Sequence, residues 1–234
     1  MAARLWAHLA ARHGARERDP GTWPTGLVHK FQRLVRSGAF NGLDTPDLRA
    51  LMDQLVGAGA WDLPKVWGQP LVTFPGNAAW DLRHLAWHTD YPATSVGHPL
   101  PAVRVFVYLG SVRPRGGATL VVRGSHQAMM DLSRSAGASV RSADARSLLE
   151  ARSPWLRDLF SKSDATDRVS RFMERDGDIG GFPVRVEELT GEPGDLILMH
   201  PGMLHAGSPN VLSRPRLMLV QSIVRRDWMN TIVY

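Results

Sequence analysis

The feature that most constrains the fold of this chain is a change of period near residue 70. From there the apolar residues fall into short runs: LVTF (71–74), AVRVFVYLG (102–110), ATLVVRG (118–124), VRVEEL (184–189), DLILMH (195–200) and RLMLVQSIV (216–224). These runs are rich in β-branched residues and roughly alternate between apolar and polar, the pattern of strands that bury one face. PG, GG, RG, GEPG and HPG turns separate them. Many short strands behind a helical prelude predict a sandwich or barrel with helices packed outside it.

The prelude carries a different spacing. In TGLVHKFQRLVRSG, residues Leu27, Val28, Phe31, Leu34 and Val35 recur at helical intervals, with Thr25 as the N-cap and Gly38 as the stop. TPDLRALMDQLVGAG repeats the logic. Thr45 caps, Pro46 takes the first helical position, Leu48, Leu51, Met52, Leu55 and Val56 form one stripe, and Gly57 ends it.

Residues 128–183 interrupt the strands. They are rich in Ser, Arg and Asp, with helical patches at SADARSLLEAR and SPWLRDLF. A polar stretch of this length inside a strand series predicts a lid or active-site flap. With no internal repeat and no low-complexity linker, the 234 residues read as a single domain. Residues 1–66 give helical support, 67–127 and 184–234 the β core, and 128–183 the lid insertion.

Composition narrows the chemistry. The chain has no cysteine, which excludes disulfides, thiolate metal sites and cysteine nucleophiles. A metal would therefore be held by His, Asp and Glu, a donor set suited to iron, manganese or zinc. The net charge of +6 comes mostly from arginines spread along the chain, with no Lys/Arg block that would form a nucleic-acid arm. No apolar run is long enough to span a bilayer. The Arg-rich start, MAARLWAHLAARHGARERDP, reads as a surface helix and not a transit peptide. The expectation is a cytoplasmic protein with neither nucleic acid nor membrane as partner, its oligomeric state open.

His88 and Asp90 in LAWHTDYP stand two apart, which on a strand places them on one face. Such a pair can be a hydrogen-bonded couple, a surface accident or two ligands of one metal. A distant second histidine, His200 or His205, would complete a 2-His-1-carboxylate set. That set fills three positions of an octahedral metal and leaves three open, as non-haem Fe(II) oxygenases require.

The ordered pieces resemble the phytanoyl-CoA dioxygenase family of Fe(II)/2-oxoglutarate-dependent oxygenases. His88-Thr89-Asp90 supplies its H-x-D. Gly116-Gly117 through Gly124-Ser125-His126 supplies its glycine turn and GSH end. Gly194-Asp195, His205, Asn210 and Arg216 supply its C-terminal pattern. The resemblance implies a double-stranded β-helix, a cupin-like jelly roll. It implies metal ligands His88, Asp90 and His205, with His200 a buried strand-end residue. It also implies Fe(II), 2-oxoglutarate and O2, with Arg216 gripping the far carboxylate of 2-oxoglutarate. Arg214 is the rival for that grip, because both arginines would share a face in a strand; the family offset favours Arg216. Ser208, Phe106 and Thr119 are the further cosubstrate candidates. Ser208 lies one residue later than in some relatives, and Phe106 is equally an ordinary core residue. Arg104 and Tyr108 share the strand face of Phe106. Trp87 and Tyr91 line a substrate pocket or pack in the core.

The reaction implied is hydroxylation of an aliphatic C–H bond of a small molecule, with 2-oxoglutarate converted to succinate and CO2. Related halogenases have a small residue where Asp90 stands, so a carboxylate favours hydroxylation over halogenation. Two competing readings are a catalytically silent metal-binding jelly roll and a cupin-like metal enzyme that uses no 2-oxoglutarate, such as a zinc hydrolase. Arg216 discriminates, since a hydrolase needs no buried carboxylate grip. The arginines of the insertion, Arg134, Arg141, Arg146, Arg152, Arg168 and Arg171, suggest an anionic substrate.

Overall fold

The computed structural model describes residues 1–26, 28–77, 79–94, 99–162 and 167–229. Three helices come first: α1 (Ala2–His13), α2 (Gln32–Arg36) and α3 (Pro46–Met52). The strands β1 (Gln69–Thr73), β2 (Ala102–Tyr108) and β3 (Thr119–Arg123) follow. Then come α4 (Ser125–Ala136), α5 (Ser142–Arg152) and α6 (Pro154–Phe160). The chain returns through β4 (Gly177–Ile179), β5 (Phe182–Leu189), β6 (Leu196–Met199), β7 (His205–Gly207) and β8 (Arg216–Val224), and closes on α7 (Arg226–Met229).

Two four-stranded antiparallel sheets face each other, in the orders β1-β8-β2-β6 and β4-β5-β3-β7. The chain crosses between the sheets repeatedly, as a jelly roll does. Alternation along each strand sets three apolar layers. Val103, Val105 and Val107 of β2, with Leu217, Leu219 and Ile223 of β8, face outward. They pack under the N-terminal helices against Leu5, Leu9, Phe40 and Met52. Leu120 and Val122 of β3, with Val184 and Val186 of β5, face outward on the other sheet, under Met129, Leu132, Leu149, Leu156 and Leu159. Between the sheets lie Phe106, Tyr108, Val121, Met199, Met218 and Val220. The central strands thus bury both rows, one under helices and one inside the barrel.

All six strand runs read from the alternation are present. Two strands are additional, β4 and β7, each of three residues. The 45–57 helix forms as predicted, its Thr45 hydroxyl accepting from Leu48 N–H at 3.2 Å. Its last turn, Asp53–Gly57, is a π-helix. The 25–38 helix is corrected. Only Gln32–Arg36 is helical, because Lys30 takes φ 70°, a left-handed conformation that an α-helix cannot pass through. Leu27 lies outside the described residues.

The stretch after β3 is a packed helical layer. The RGSH segment starts a twelve-residue helix, α4, where the sequence reading places a turn. Gly124 permits this at φ 89°, where a Cβ would come within 2.3 Å of the Pro183 carbonyl oxygen. Ala145, Leu149, Leu156, Leu159, Phe160 and Phe172 of this layer are buried. Ser153 caps α6, accepting from Leu156 N–H at 3.2 Å.

Candidate metal centre

β7 is short, and its partner on one side is β3, with His205 opposite Val121 and Gly207 opposite Thr119. On its other side it meets His88 in a single antiparallel bridge. His88 N–H donates to the His205 carbonyl at 3.0 Å, and His205 N–H donates to the His88 carbonyl at 2.9 Å. The two imidazoles are thereby set beside each other, ring centroids 4.3 Å apart at 46°. His88 and Asp90 do not lie on a strand as expected; beyond the bridge the backbone bends.

The ring orientations have a common cause. His88 Nδ1 is 2.8 Å from the Ala86 carbonyl oxygen, and His205 Nδ1 is 3.0 Å from the Met203 carbonyl oxygen. In each neutral ring a carbonyl two residues earlier takes the Nδ1–H, and Nε2 keeps its lone pair. Both Nε2 atoms turn toward Asp90. His88 Nε2 lies 3.8 Å from Oδ1, and His205 Nε2 lies 3.5 Å from Oδ2. One ligand atom from each residue falls within 4.8 Å of the others. Burial pushes the His205 pKa down, against the pull of Asp90, which favours the neutral form that binds metal.

Asp90 is gripped by Arg104, which projects inward from β2. Arg104 Nη2 donates to Asp90 Oδ1 at 3.2 Å, and Nε lies 3.1 Å from Oδ2. Asp90 Oδ2 is buried and accepts no hydrogen bond. Two lone pairs and one orphaned carboxylate oxygen converge, a donor set that fits Fe(II). The turn bearing these ligands is tied to the helical layer, where Ser142 Oγ donates to the Thr89 carbonyl at 2.9 Å. Leu204 N–H, beside His205, donates to Ser125 Oγ at 2.9 Å.

Deeper in the barrel sits Arg216, the first residue of β8 and buried. Its Nη1 approaches Thr119 Oγ1 at 3.5 Å, and its Nε has no hydrogen-bond partner. Burial lowers its pKa to about 10, with the Tyr108 phenol opposing. The Tyr108 hydroxyl donates to the Leu189 carbonyl at 2.6 Å, and its own pKa is pushed up to about 12 by burial. A guanidinium this deep carries a desolvation cost that an anion would offset. Thr119 stands two residues along β3 from Val121, the partner of His205. The anchor thus begins about 7 Å of strand beyond the metal ligands.

The structure places the remaining candidates as follows. Phe106 lies inside the barrel, between Arg104 and Tyr108 on the inward row of β2. Ser208 is buried, its Oγ donating to the Ala118 carbonyl at 2.8 Å. Asn210 organises the turn before β8, its Nδ2 donating to the carbonyls of Thr73 (3.1 Å) and Arg214 (2.7 Å). Arg214 precedes the strand, so strand parity does not apply to it. Its side chain is exposed and lines an outer cavity with Trp6 and Trp23. His200 is apart from the triad; its Nδ1 accepts from Gly202 N–H at 3.0 Å, in the turn after β6. Trp87 is core, its indole N–H donating to the Arg83 carbonyl at 2.9 Å. Tyr91 packs against Trp228, ring centroids 5.3 Å apart and planes tilted by 53°.

Five of the six arginines of the insertion are engaged by other groups of the fold. Arg134 pairs with Asp131 (3.2 Å), Arg141 with Asp144 (2.8 Å), and Arg171 with Asp158. Arg146 lies over the Phe160 ring at 4.4 Å. Arg168 donates to the Leu82, Asp158 and Leu159 carbonyls, fastening the end of α6 to the segment that leads to His88.

Comparison with known proteins adds further findings. The model of the phytanoyl-CoA dioxygenase (PhyH) family matches residues 29–218. The structure of AviO1 from Streptomyces viridochromogenes Tue57 superposes with a TM-score of 0.50 at 16% identity, over 96% of this chain and 81% of that one. The apo structure of ThoJ, a non-heme monooxygenase, gives a TM-score of 0.50 at 16% identity, over 96% of this chain and 70% of that one. EvdMO1 is a longer protein, 19% identical with a TM-score of 0.47; the match covers 80% of this chain and 32% of EvdMO1. No curated protein matches the chain.

Proposed function

This chain belongs to the phytanoyl-CoA dioxygenase family, non-haem iron enzymes that use 2-oxoglutarate, and from that premise we propose that it hydroxylates an aliphatic C–H bond of a small molecule. His88, Asp90 and His205 would hold Fe(II), and Arg216 with Thr119 would hold the far carboxylate of 2-oxoglutarate. Together with O2, these groups supply the oxidant, and 2-oxoglutarate leaves as succinate and CO2.

The observation that carries the reading is the pairing of two unsatisfied features at one end of the same barrel. A three-ligand centre has a buried carboxylate oxygen without a hydrogen bond. Two strand residues further in, a buried guanidinium has no carboxylate within reach among the described residues. A hydrolytic metal site accounts for the first and not the second. A dicarboxylate with a keto acid at one end accounts for both.

The chain's own residues then have definite work. Ala86 and Met203 carbonyls hold both imidazoles in the metal-binding tautomer. Phe106, Met218 and Val220, buried between the sheets, would supply an apolar lining that disfavours water near the cosubstrate. Tyr108 stands beside the guanidinium with its hydroxyl proton held on the Leu189 carbonyl.

The test is an anaerobic absorption titration of the metal-free protein with Fe(II) and then 2-oxoglutarate. A weak visible charge-transfer band that needs both additions, and that is lost in His205→Ala, is the expected result. Tight Fe(II) binding with no band would sink the 2-oxoglutarate reading and leave a metal-binding jelly roll or a hydrolase.

A further inference from the structure

We propose that Arg104 is a positioning residue of the metal centre, fixing the Asp90 carboxylate so that Oδ2 faces the metal. The inference rests on the metal reading above.

The three ligands are not held alike. Each histidine is oriented by a main-chain carbonyl two residues before it, and both belong to the backbone bridge between residues 88 and 205. Asp90 has no such tether. It lies in a bend outside any strand, where the backbone leaves both side-chain torsions open. Its carboxylate meets the planar guanidinium of Arg104 instead: Nη2 donates to Oδ1 at 3.2 Å, and Nε lies 3.1 Å from Oδ2 without making a hydrogen bond to it, which leaves Oδ2 to the metal. The fork is itself fixed. Arg104 pairs with Ser222 of β8 and Met199 of β6 in the sheet register, and its Nη1 donates to Ser222 Oγ. Arg104 thus carries the rigidity of the sheet to a ligand that sits on a loop.

The chemistry opposes an accidental pairing. A guanidinium beside a divalent cation repels it, so charge alone would make Arg104 a liability for metal binding. The planar fork offers something a point charge does not, since it sets the carboxylate plane as well as its position. A held carboxylate presents one oxygen to the metal. A free one samples many orientations, most of which would present no oxygen to the metal, so holding it should raise affinity. Orientation and charge therefore predict opposite signs when Arg104 is changed.

The experiment measures Co(II) affinity and the Co(II) d–d spectrum of the full chain, in the wild type and in Arg104→Lys, Arg104→Ala and Ser222→Ala. Apo melting curves check folding. The positioning role gives a loss of affinity of about 10- to 100-fold in both Arg104 variants, the range of a lost outer-shell partner. It also gives an altered d–d spectrum, and a smaller loss of the same sign in Ser222→Ala. Arg104→Lys keeps the charge and loses the fork, so it carries the test if Arg104→Ala does not fold. Unchanged affinity with an unchanged spectrum, tighter binding in Arg104→Ala, or full function of Arg104→Lys would each overturn the proposal. Failure of the wild type to bind Co(II) would instead overturn the metal reading beneath it.

Discussion

His88 and His205, 117 positions apart in the chain, exchange both backbone hydrogen bonds of one antiparallel bridge, at 3.0 and 2.9 Å. Two ligands of the centre are therefore placed by main-chain pairing, and their side chains are not needed for it. His205→Ala should leave the bridge and the fold intact. It should weaken Fe(II) or Co(II) binding by more than the roughly 10- to 100-fold that an outer-shell loss costs. Calorimetric metal titration beside a melting curve checks this. A variant that binds metal like the wild type would remove His205 from the centre.

Arg216 makes the opposite kind of prediction, because among the described residues its buried charge has no carboxylate partner. Arg216→Met keeps the volume and removes the uncompensated guanidinium next to Met218 and Tyr108. The variant is expected to be more stable in the absence of ligand, by on the order of 1–4 kcal/mol, and to lack the 2-oxoglutarate-dependent rise in Tm expected of the wild type. Thermal melts with and without 2-oxoglutarate read both effects. Retention of the 2-oxoglutarate shift would move the anchor elsewhere, Arg214 being the next candidate.

These residues also mark what the sequence made legible. The candidate ligands were legible because, without cysteine, the ordered H-x-D and distant-His spacing leaves few N/O donors to choose from, and six strands were legible as short β-branched runs of rough alternation between turn signals. β7 was not readable, although it carries His205, since three residues cannot display a period. α4 was obscured because Ala128, Met129 and Leu132 are its buried apolar residues in a Ser- and Arg-rich stretch. What orients the ligands was hidden for a different reason. The Ala86 and Met203 carbonyls belong to the backbone, which has no residue-type signature. Arg104 reaches Asp90 only through a sheet register that tertiary structure sets. Parity did place Arg104 on the inward row with Phe106, and that was the available clue.

Ala86 holds φ 68°, an uncommon conformation for a residue with a Cβ. It aims its carbonyl at His88 Nδ1. Ala86→Gly removes the steric cost and should stabilise the protein by about 1 kcal/mol, with metal affinity retained. Ala86→Val adds β-branching at the same φ, and should both destabilise the protein and weaken metal binding as the carbonyl shifts away from His88. Paired Tm and Co(II) titrations distinguish the cases. If the valine variant bound metal as well as the glycine variant, the carbonyl would have no orienting role.

His200 connects the fold to pH. Its ring lies 5.0 Å from that of His126, and burial, followed by the neighbouring His126, pushes its pKa down to about 4. His126 is shifted the same way by burial. The folded state therefore keeps His200 neutral where the unfolded chain, with an ordinary value near 6.5, takes up a proton. Above about pH 6.5 both states are neutral and stability is complete. As pH falls from there toward 4, only the unfolded state gains the proton, so stability declines, by roughly 3 kcal/mol from this group over the whole interval. Below about 4 the folded state protonates too and the decline from His200 ends. His200→Gln keeps an acceptor for Gly202 N–H and removes the titration. Denaturant unfolding at a series of pH values across that interval should show a shallower loss of stability in the variant, with His8, His126 and His205, which burial shifts the same way, still contributing to the slope. Equal slopes in variant and wild type would mean that His200 is protonated in the folded protein, and that the turn after β6 admits solvent.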